Sequence, residues 1–484
     1  MAARSIRLAT RALSSNSASW KFCPPTFEFA SQEPSPAAAS HMAMEEAHGA
    51  HNYHPLPVVW SKASGCVVWD VDGKEHLDFL AAYSAVNQGH CHPRIVAAAV
   101  EQMGRLTISS RAFYSDKLGD FEAYATKLFG FDKMLPMNTG AEAVETALKL
   151  ARRWAYSVKG VPANEAKILW ASENFHGRTL AIVSASTDPE SKEGYGPFMP
   201  GFEVVPYNDA GAIERAMAED PTIAAVLIEP VQGEAGVIVP DDGYLKSVRA
   251  SCDTHGALLI ADEIQSGLGR TGKMLAIDHD EVRPDVLILA KALSGGVYPG
   301  ALENGEGCVF IWCATRAQAR SSLSHPRCHP LALPLPFLFV APSPRTVSAV
   351  LADDEVMLTI KPGQHGSTYG GNPVGSAVGR AALDVLIEED LIGNSERMGK
   401  VFRDGIAAMG SDRIKEIRGR GLMNAVVIEE RDGVDAWQVC LRLAQLGLLA
   451  KPTHNNTIRF TPPLCIDAFQ MEKALGMIER ALGE

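Results

Sequence analysis

Nowhere in its 484 residues does the chain run apolar and proline-free for about 18 positions, so no segment is built to cross a membrane as a helix. Positive charge is scarce. With 45 Lys and Arg against 57 Asp and Glu, the net charge is -12, which argues against a nucleic-acid or anionic-membrane partner. Cysteine is sparse too: nine residues, scattered without an even framework of short spacings, read as reduced thiols rather than disulfides. What remains, 46% hydrophobic and 21% charged, is a globular composition long enough for two or three domains.

The start of the chain is short of acid. Arg4, Arg7, Arg11 and Lys21 all precede the first carboxylate, Glu28. At about 100° per residue the three arginines share one helical face, with Ile6, Ala9 and Leu13 opposite. Serines and PSPAAAS follow. This pattern reads as a mitochondrial transit peptide and disordered leader over residues 1–47, addressing the protein to the matrix.

Three short apolar runs carry charged residues at their ends: AAVLIEP with Glu229, ALLIADEIQ with Asp262 and Gln265, and DVLILAK with Lys291. Each fits a strand buried on both faces, and helix-like stretches such as GYLKSVRASCDTHG lie between them. That alternation predicts a parallel α/β sheet, whose site lies off the carboxyl ends of the strands. A lysine beside a dense apolar strand has its ammonium disfavoured, which makes Lys291 a candidate amine nucleophile toward a carbonyl. A snorkelling surface lysine is the plainer alternative. Asp262 is suited to keep a pyridine nitrogen protonated in a pyridoxal phosphate (PLP) enzyme. A phosphate site is offered by Asn138-Thr139-Gly140-Ala141 at the start of a helical run, and a second by Ser367 and Thr368 in HGSTYGGNP. Either stretch is also readable as an ordinary cap or turn. Phe175 and His176, in ENFHGRTL, are candidates to cover a flat ring, and Arg178 is suited to hold a carboxylate.

Together these pieces resemble the class III aminotransferases of PLP fold type I, from about His51 to the C-terminus with one block excepted. The carrying motifs are ADEIQSGLGRTG, KALSGG, MNTGAEAVETALKLAR, NFHGRT, IEPVQGEAGV, HGSTYGGNP, RGRGLMNA and IRFTPP. Within the class, NYHPLPV with AAYSAVNQGHCHP points to members acting on L-ornithine. The resemblance implies an aspartate-aminotransferase-like large domain with a mainly parallel sheet at about 86–376, and a smaller α+β domain at 377–484. Residues 48–85 would pack with the small domain.

The resemblance also implies roles. Lys291 would hold PLP covalently and then act as the base. Asp262 would pair with its ring nitrogen, Gln265 would lie near its 3′-oxygen, and Phe175 and His176 would pack on the ring. Gly140 and Ala141 would bind its phosphate, joined by Ser367 and Thr368 from the other subunit of a homodimer or higher assembly with shared sites. Tyr53 and Arg178 would hold the far end of L-ornithine, with Tyr83 and Glu229 on the pocket wall. Arg459 would take the α-carboxylate of glutamate and be masked by Glu234 during the ornithine step. The implied reaction passes the δ-amine of L-ornithine to 2-oxoglutarate, without a metal. Acetylornithine or 4-aminobutyrate is the alternative substrate, and a misspliced, impaired form is the alternative from another class.

That last alternative arises from residues 300–346, which interrupt what the resemblance makes one strand, VYP joined to VSAVLAD. The block is proline-rich, contains LPLPFLFV and has no periodicity. It reads as a retained intron. A valine codon split after its first base would give Gly300 on entry and Val347 on return. A metal site using Cys308, Cys313, Cys328, His325 and His329 matches no familiar spacing, and a tolerated surface loop is the other reading. On the intron reading, deleting 300–346 raises soluble yield and turnover. Equal yield and turnover for the two forms would contradict it.

Overall fold

The computed structural model describes residues 33–297, 347–454 and 456–483. Most of the expected leader and all of the 300–346 block therefore lie outside the described residues. One part of the leader does not fit the expectation of disorder, because Pro36–His48 is a helix. Ser35 caps it by accepting the N–H of Ala38, Pro36 supplies a pre-set first turn, and Ala38 is buried. The proline and alanines of PSPAAAS are a helix start rather than a spacer.

Strands are numbered along the chain: β1 (Trp60–Ser64), β2 (Val67–Asp70), β3 (Glu75–Asp78), β4 (Lys133–Met137), β5 (Lys167–Ala171), β6 (Phe202–Val205), β7 (Ile223–Ile228), β8 (Leu258–Asp262), β9 (Val286–Leu289) and β10 (Ser348–Ala352). There follow β11 (Ile414–Arg420), β12 (Met423–Ile428), β13 (Leu448–Leu449), β14 (Lys451–Thr453) and β15 (Thr457–Phe460). The central sheet runs β4-β10-β9-β8-β7-β5-β6. Its pairs are parallel except where β10 inserts antiparallel between β4 and β9. The fold is thus α/β with a mainly parallel sheet, as the resemblance implies.

Every residue of β7, β8 and β9 is buried, as uniformly apolar strands must be when helices cover both faces. Alternate residues serve opposite layers. Ala225 and Leu227 pack with helix Gly140–Trp154, while Val226 and Ile228 join the core on the other side. That helix presents Ala143, Ala147, Leu150, Ala151 and Trp154 to the sheet, a stripe at helical spacing. Its start is a capping box. Thr139 Oγ1 accepts the Glu142 N–H at 3.0 Å, and Glu142 Oε2 accepts the Thr139 N–H at 2.9 Å.

The C-terminal region forms the antiparallel sheet β11-β12-β15-β14, backed by helices Leu391–Ala408 and Ala436–Leu446, with Ala468–Leu482 packed on those helices. The N-terminal strands β1-β2-β3 form a third sheet, closed by β13 running parallel to β3. One buried arginine ties these parts together. Arg270 is fully buried. It donates to the carbonyls of Leu422 (3.1 Å) and Pro462 (2.6 Å) and to Asn87 Oδ1 (2.6 Å). Burial drives its pKa down to about 9, yet three acceptors from two other regions depend on it. Arg270→Ala therefore leaves buried oxygens unpaired and should cost about 3–5 kcal/mol in urea unfolding of the full chain. A loss below about 1 kcal/mol would show that the joint does not depend on the guanidinium.

Candidate active site

β7, β8 and β9 end side by side, and their last residues open into one cavity of ≈310 Å³. Its walls include Gly140 and Ala141, Phe175 and His176, Glu229 and Glu234, Asp262 and Gln265, Lys291 and Val347. With Asn138 and Thr139, eleven of the candidate site residues singled out in the sequence thus share one lining.

Lys291 sits two residues past β9, in a short 3-10 turn that Gln88 clamps by donating to the carbonyl of Ala292 at 3.0 Å. Its φ is +44°, a left-handed value that a side chain tolerates only when its surroundings enforce it. Burial lowers the ammonium pKa, and the nearby carboxylates of Glu234, Asp262 and Glu229 limit the fall. Asp262, at the end of β8, is buried. Its Oδ2 meets His176 Nδ1 at 2.6 Å, and its Oδ1 accepts the Ile264 N–H at 3.0 Å. Burial disfavours the His176 cation, but the Asp262 carboxylate outweighs that and raises its pKa. His176 also packs edge-on to Trp170, with its Nε2 buried and unpartnered among the described residues.

Glu229, at the end of β7, lines the cavity with both oxygens engaged. Oε1 accepts the Phe175 N–H at 2.9 Å and Oε2 the Gly233 N–H at 3.3 Å. It therefore joins the Phe175 loop to the Glu234 loop rather than standing free to receive a substrate. Gly233 has no room for a side chain, since a Cβ there would collide with the amide end of Gln265. Gln265 donates to Glu234 Oε1 at 3.1 Å. Arg459, on β15, meets the same oxygen at 2.8 Å. The guanidinium lies 4.9 Å from the ring centre of Tyr83. Burial works against the Glu234 anion, but Arg459 prevails and its pKa is lowered.

The remaining expected residues stand apart from the cavity wall. Arg178 donates to Ser191 Oγ at 3.1 Å, with its guanidinium 5.6 Å from the Phe175 ring centre. Tyr53 is 72% exposed, and Lys451 Nζ lies 5.9 Å from its ring centre. Ser367 Oγ accepts from Asn138 Nδ2 at 2.6 Å, but neither Ser367 nor Thr368 lines the cavity. The sequence reading missed Asp78, Asn87, Gln88, His90 and Arg270. They lie in or beside the motif strings AAYSAVNQGHCHP and SGLGRTG, yet nothing local to those strings marks which members bond across the fold.

The residues present fit PLP. Among the described residues, no side chain or backbone acceptor takes the Gly140 or Ala141 N–H at the start of the long helix, which is where a phosphate binds. An aromatic, a buried carboxylate backed by His176, and a desolvated lysine line the same space. The family model Aminotransferase class-III matches residues 48–310 and 345–482. The mitochondrial ornithine aminotransferase of Drosophila melanogaster is 52% identical over 457 residues, covering 94% of each chain. A crystal structure of the Toxoplasma gondii ornithine aminotransferase superposes with a TM-score of 0.81 at 42% identity, covering 92% of this chain and 94% of that one. A second structure from that organism has partial occupancy of PLP at its active site. The acetylornithine aminotransferase of Elizabethkingia anophelis matches with a TM-score of 0.75 at 46% identity, over 92% and 98% of the two chains.

Burial raises the pKa of Glu229 to about 7 from an ordinary 4.5, so the folded state favours the neutral acid. Its contribution to stability is complete below about pH 4.5 and is lost as pH climbs through about 7. The raised pKa of His176 acts in the same direction, its contribution fading as the cation is titrated. Glu229→Gln should therefore flatten the fall in thermal midpoint between about pH 5 and 8. An unchanged slope would mean that Glu229 does not titrate there.

Proposed function

The chain belongs to the class-III aminotransferases, and we propose that within them it moves the δ-amino group of L-ornithine to 2-oxoglutarate. The products are glutamate and glutamate-5-semialdehyde, which closes to pyrroline-5-carboxylate. PLP, when bound, supplies the electron sink that lets a proton leave the carbon bearing the transferred nitrogen. Lys291 Nζ, whose pKa burial lowers, would take that proton. Asp262, steadied by His176, holds a proton at the pyridine nitrogen. The amides of Gly140 and Ala141 bind the phosphate, and Phe175, fixed through Glu229, covers the ring face.

The observation that carries the choice of substrates is the buried Arg459–Glu234 pair at 2.8 Å beside that cavity. Paired, it is neutral and leaves the pocket to the aliphatic chain of ornithine, whose α-amine and α-carboxylate are held by Tyr53 and Arg178. Opened, Arg459 offers a bidentate site for the α-carboxylate of glutamate. Tyr53 and Glu234 favour ornithine over acetylornithine or 4-aminobutyrate. Ser367 and Thr368, set off the wall of their own cavity, fit a role in the partner's phosphate site, so the working unit is a homodimer. The arginine-rich start, with relatives named mitochondrial, supports the mitochondrial matrix. Glu234→Ala leaves Arg459 unmasked. The glutamate half-reaction should gain roughly tenfold in kcat/KM relative to the ornithine half-reaction, about 1.4 kcal/mol of discrimination. An unchanged ratio would remove the pair from substrate choice.

A further inference from the structure

Four successive residues without a glycine among them, Ala81, Ala82, Tyr83 and Ser84, have φ of +48°, +46°, +60° and +71°. L-residues disfavour this conformation one at a time, and a full left-handed turn of them persists only when its surroundings hold it. The turn closes on itself by bonds from the N–H groups of Ala85 and Val86 to the carbonyl of Ala81, at 2.9 and 3.2 Å. Its entry is held from outside. Asp78, at the end of β3 and fully buried, uses Oδ1 to accept the N–H groups of Leu80 (2.8 Å) and Ala81 (2.9 Å). Its other oxygen, Oδ2, accepts from His90 Nε2 at 2.7 Å. Thr461, just after β15, donates to the carbonyl of Leu80 at 2.9 Å. The residue at the crest of the turn is Tyr83, whose ring faces the Arg459 guanidinium.

We propose that Asp78 and His90 are positioning residues for substrate choice. His90 fixes the Asp78 carboxylate, Asp78 fixes the left-handed turn, and the turn sets the ring of Tyr83 against Arg459. The inference rests on Arg459 being the carboxylate site for glutamate and 2-oxoglutarate, as proposed above. A right-handed turn over the same residues would carry the Tyr83 side chain elsewhere and leave Arg459 without its aromatic cover. The larger effect falls at the end of the pocket where Tyr83 meets Arg459, because Asp262 is held separately by His176.

The test is a double-mutant cycle on the full chain loaded with PLP, read as kcat and KM for 2-oxoglutarate. Asp78→Asn should raise KM on the order of tenfold with a smaller change in kcat, the mark of a misplaced binding group. The same change on a Tyr83→Ala background should add nothing, since the group it positions is already gone. His90→Ala leaves Asp78 in place and carries the same test if Asp78→Asn folds poorly. His90→Gln keeps an N–H donor and should recover most of the loss. Equal losses with and without Tyr83 would overturn the positioning role and leave Asp78 a purely structural residue. A silent Tyr83→Ala would instead overturn the assignment of Tyr83 and Arg459 to the pocket, and the proposal with it.

Discussion

The structure turns on one constraint: charge must survive at the carboxyl ends of strands that are themselves wholly apolar. β7, β8 and β9 have no exposed residue, yet Glu229, Asp262 and Lys291 follow directly from them. Isolated charges there would be costly, so each has a partner. Asp262 has His176, Glu229 has two backbone N–H groups, and Glu234 has Arg459. Lys291, with its neighbours' carboxylates only at a distance, carries the perturbation as a lowered pKa. The loops that supply these partners have little freedom left. Phe175 is tied to Glu229, and a side chain at Gly233 would displace the amide end of Gln265.

The same constraint holds at Arg459, a buried arginine beside the cavity. Pairing it with Glu234 neutralises its charge, and the pair lies at the edge of the cavity, between the central sheet and the β11-β12-β15-β14 sheet. Tyr83 covers the guanidinium from the N-terminal segment. Three regions of the chain meet at that arginine, and Arg270 bonds the same three regions together nearby.

Much of this was legible in the residues. Uniformly apolar runs ending in charge announced buried parallel strands, and the helix opened by Asn138-Thr139-Gly140 was visible from its cap. Lys291 and Asp262 followed from where those runs end. The Arg459–Glu234 pair spans 225 positions and came only through resemblance, since no local pattern couples residues so far apart. The left-handed turn was invisible because Ala-Ala-Tyr-Ser has no glycine to signal positive φ, and tertiary bonds from Asp78 and Thr461 impose it. Arg270 read as one more loop arginine, its burial being a property of the assembled parts. The helix Pro36–His48 was read as part of a disordered leader because alanine and proline were weighed for composition, not for their positions after Ser35.

The central claim is that Lys291, at the end of β9, binds PLP in a site that accepts the δ-amine of ornithine. An absorption spectrum of the purified chain with PLP, before and after L-ornithine, tests it most directly. The account predicts a protein-bound band near the edge of the visible range that L-ornithine bleaches and 2-oxoglutarate restores. It also predicts that a Lys291→Ala chain gives no such band that borohydride can fix to the protein. No bound band, in either the full chain or the chain without residues 300–346, would contradict it. So would a band that L-ornithine leaves unchanged in both.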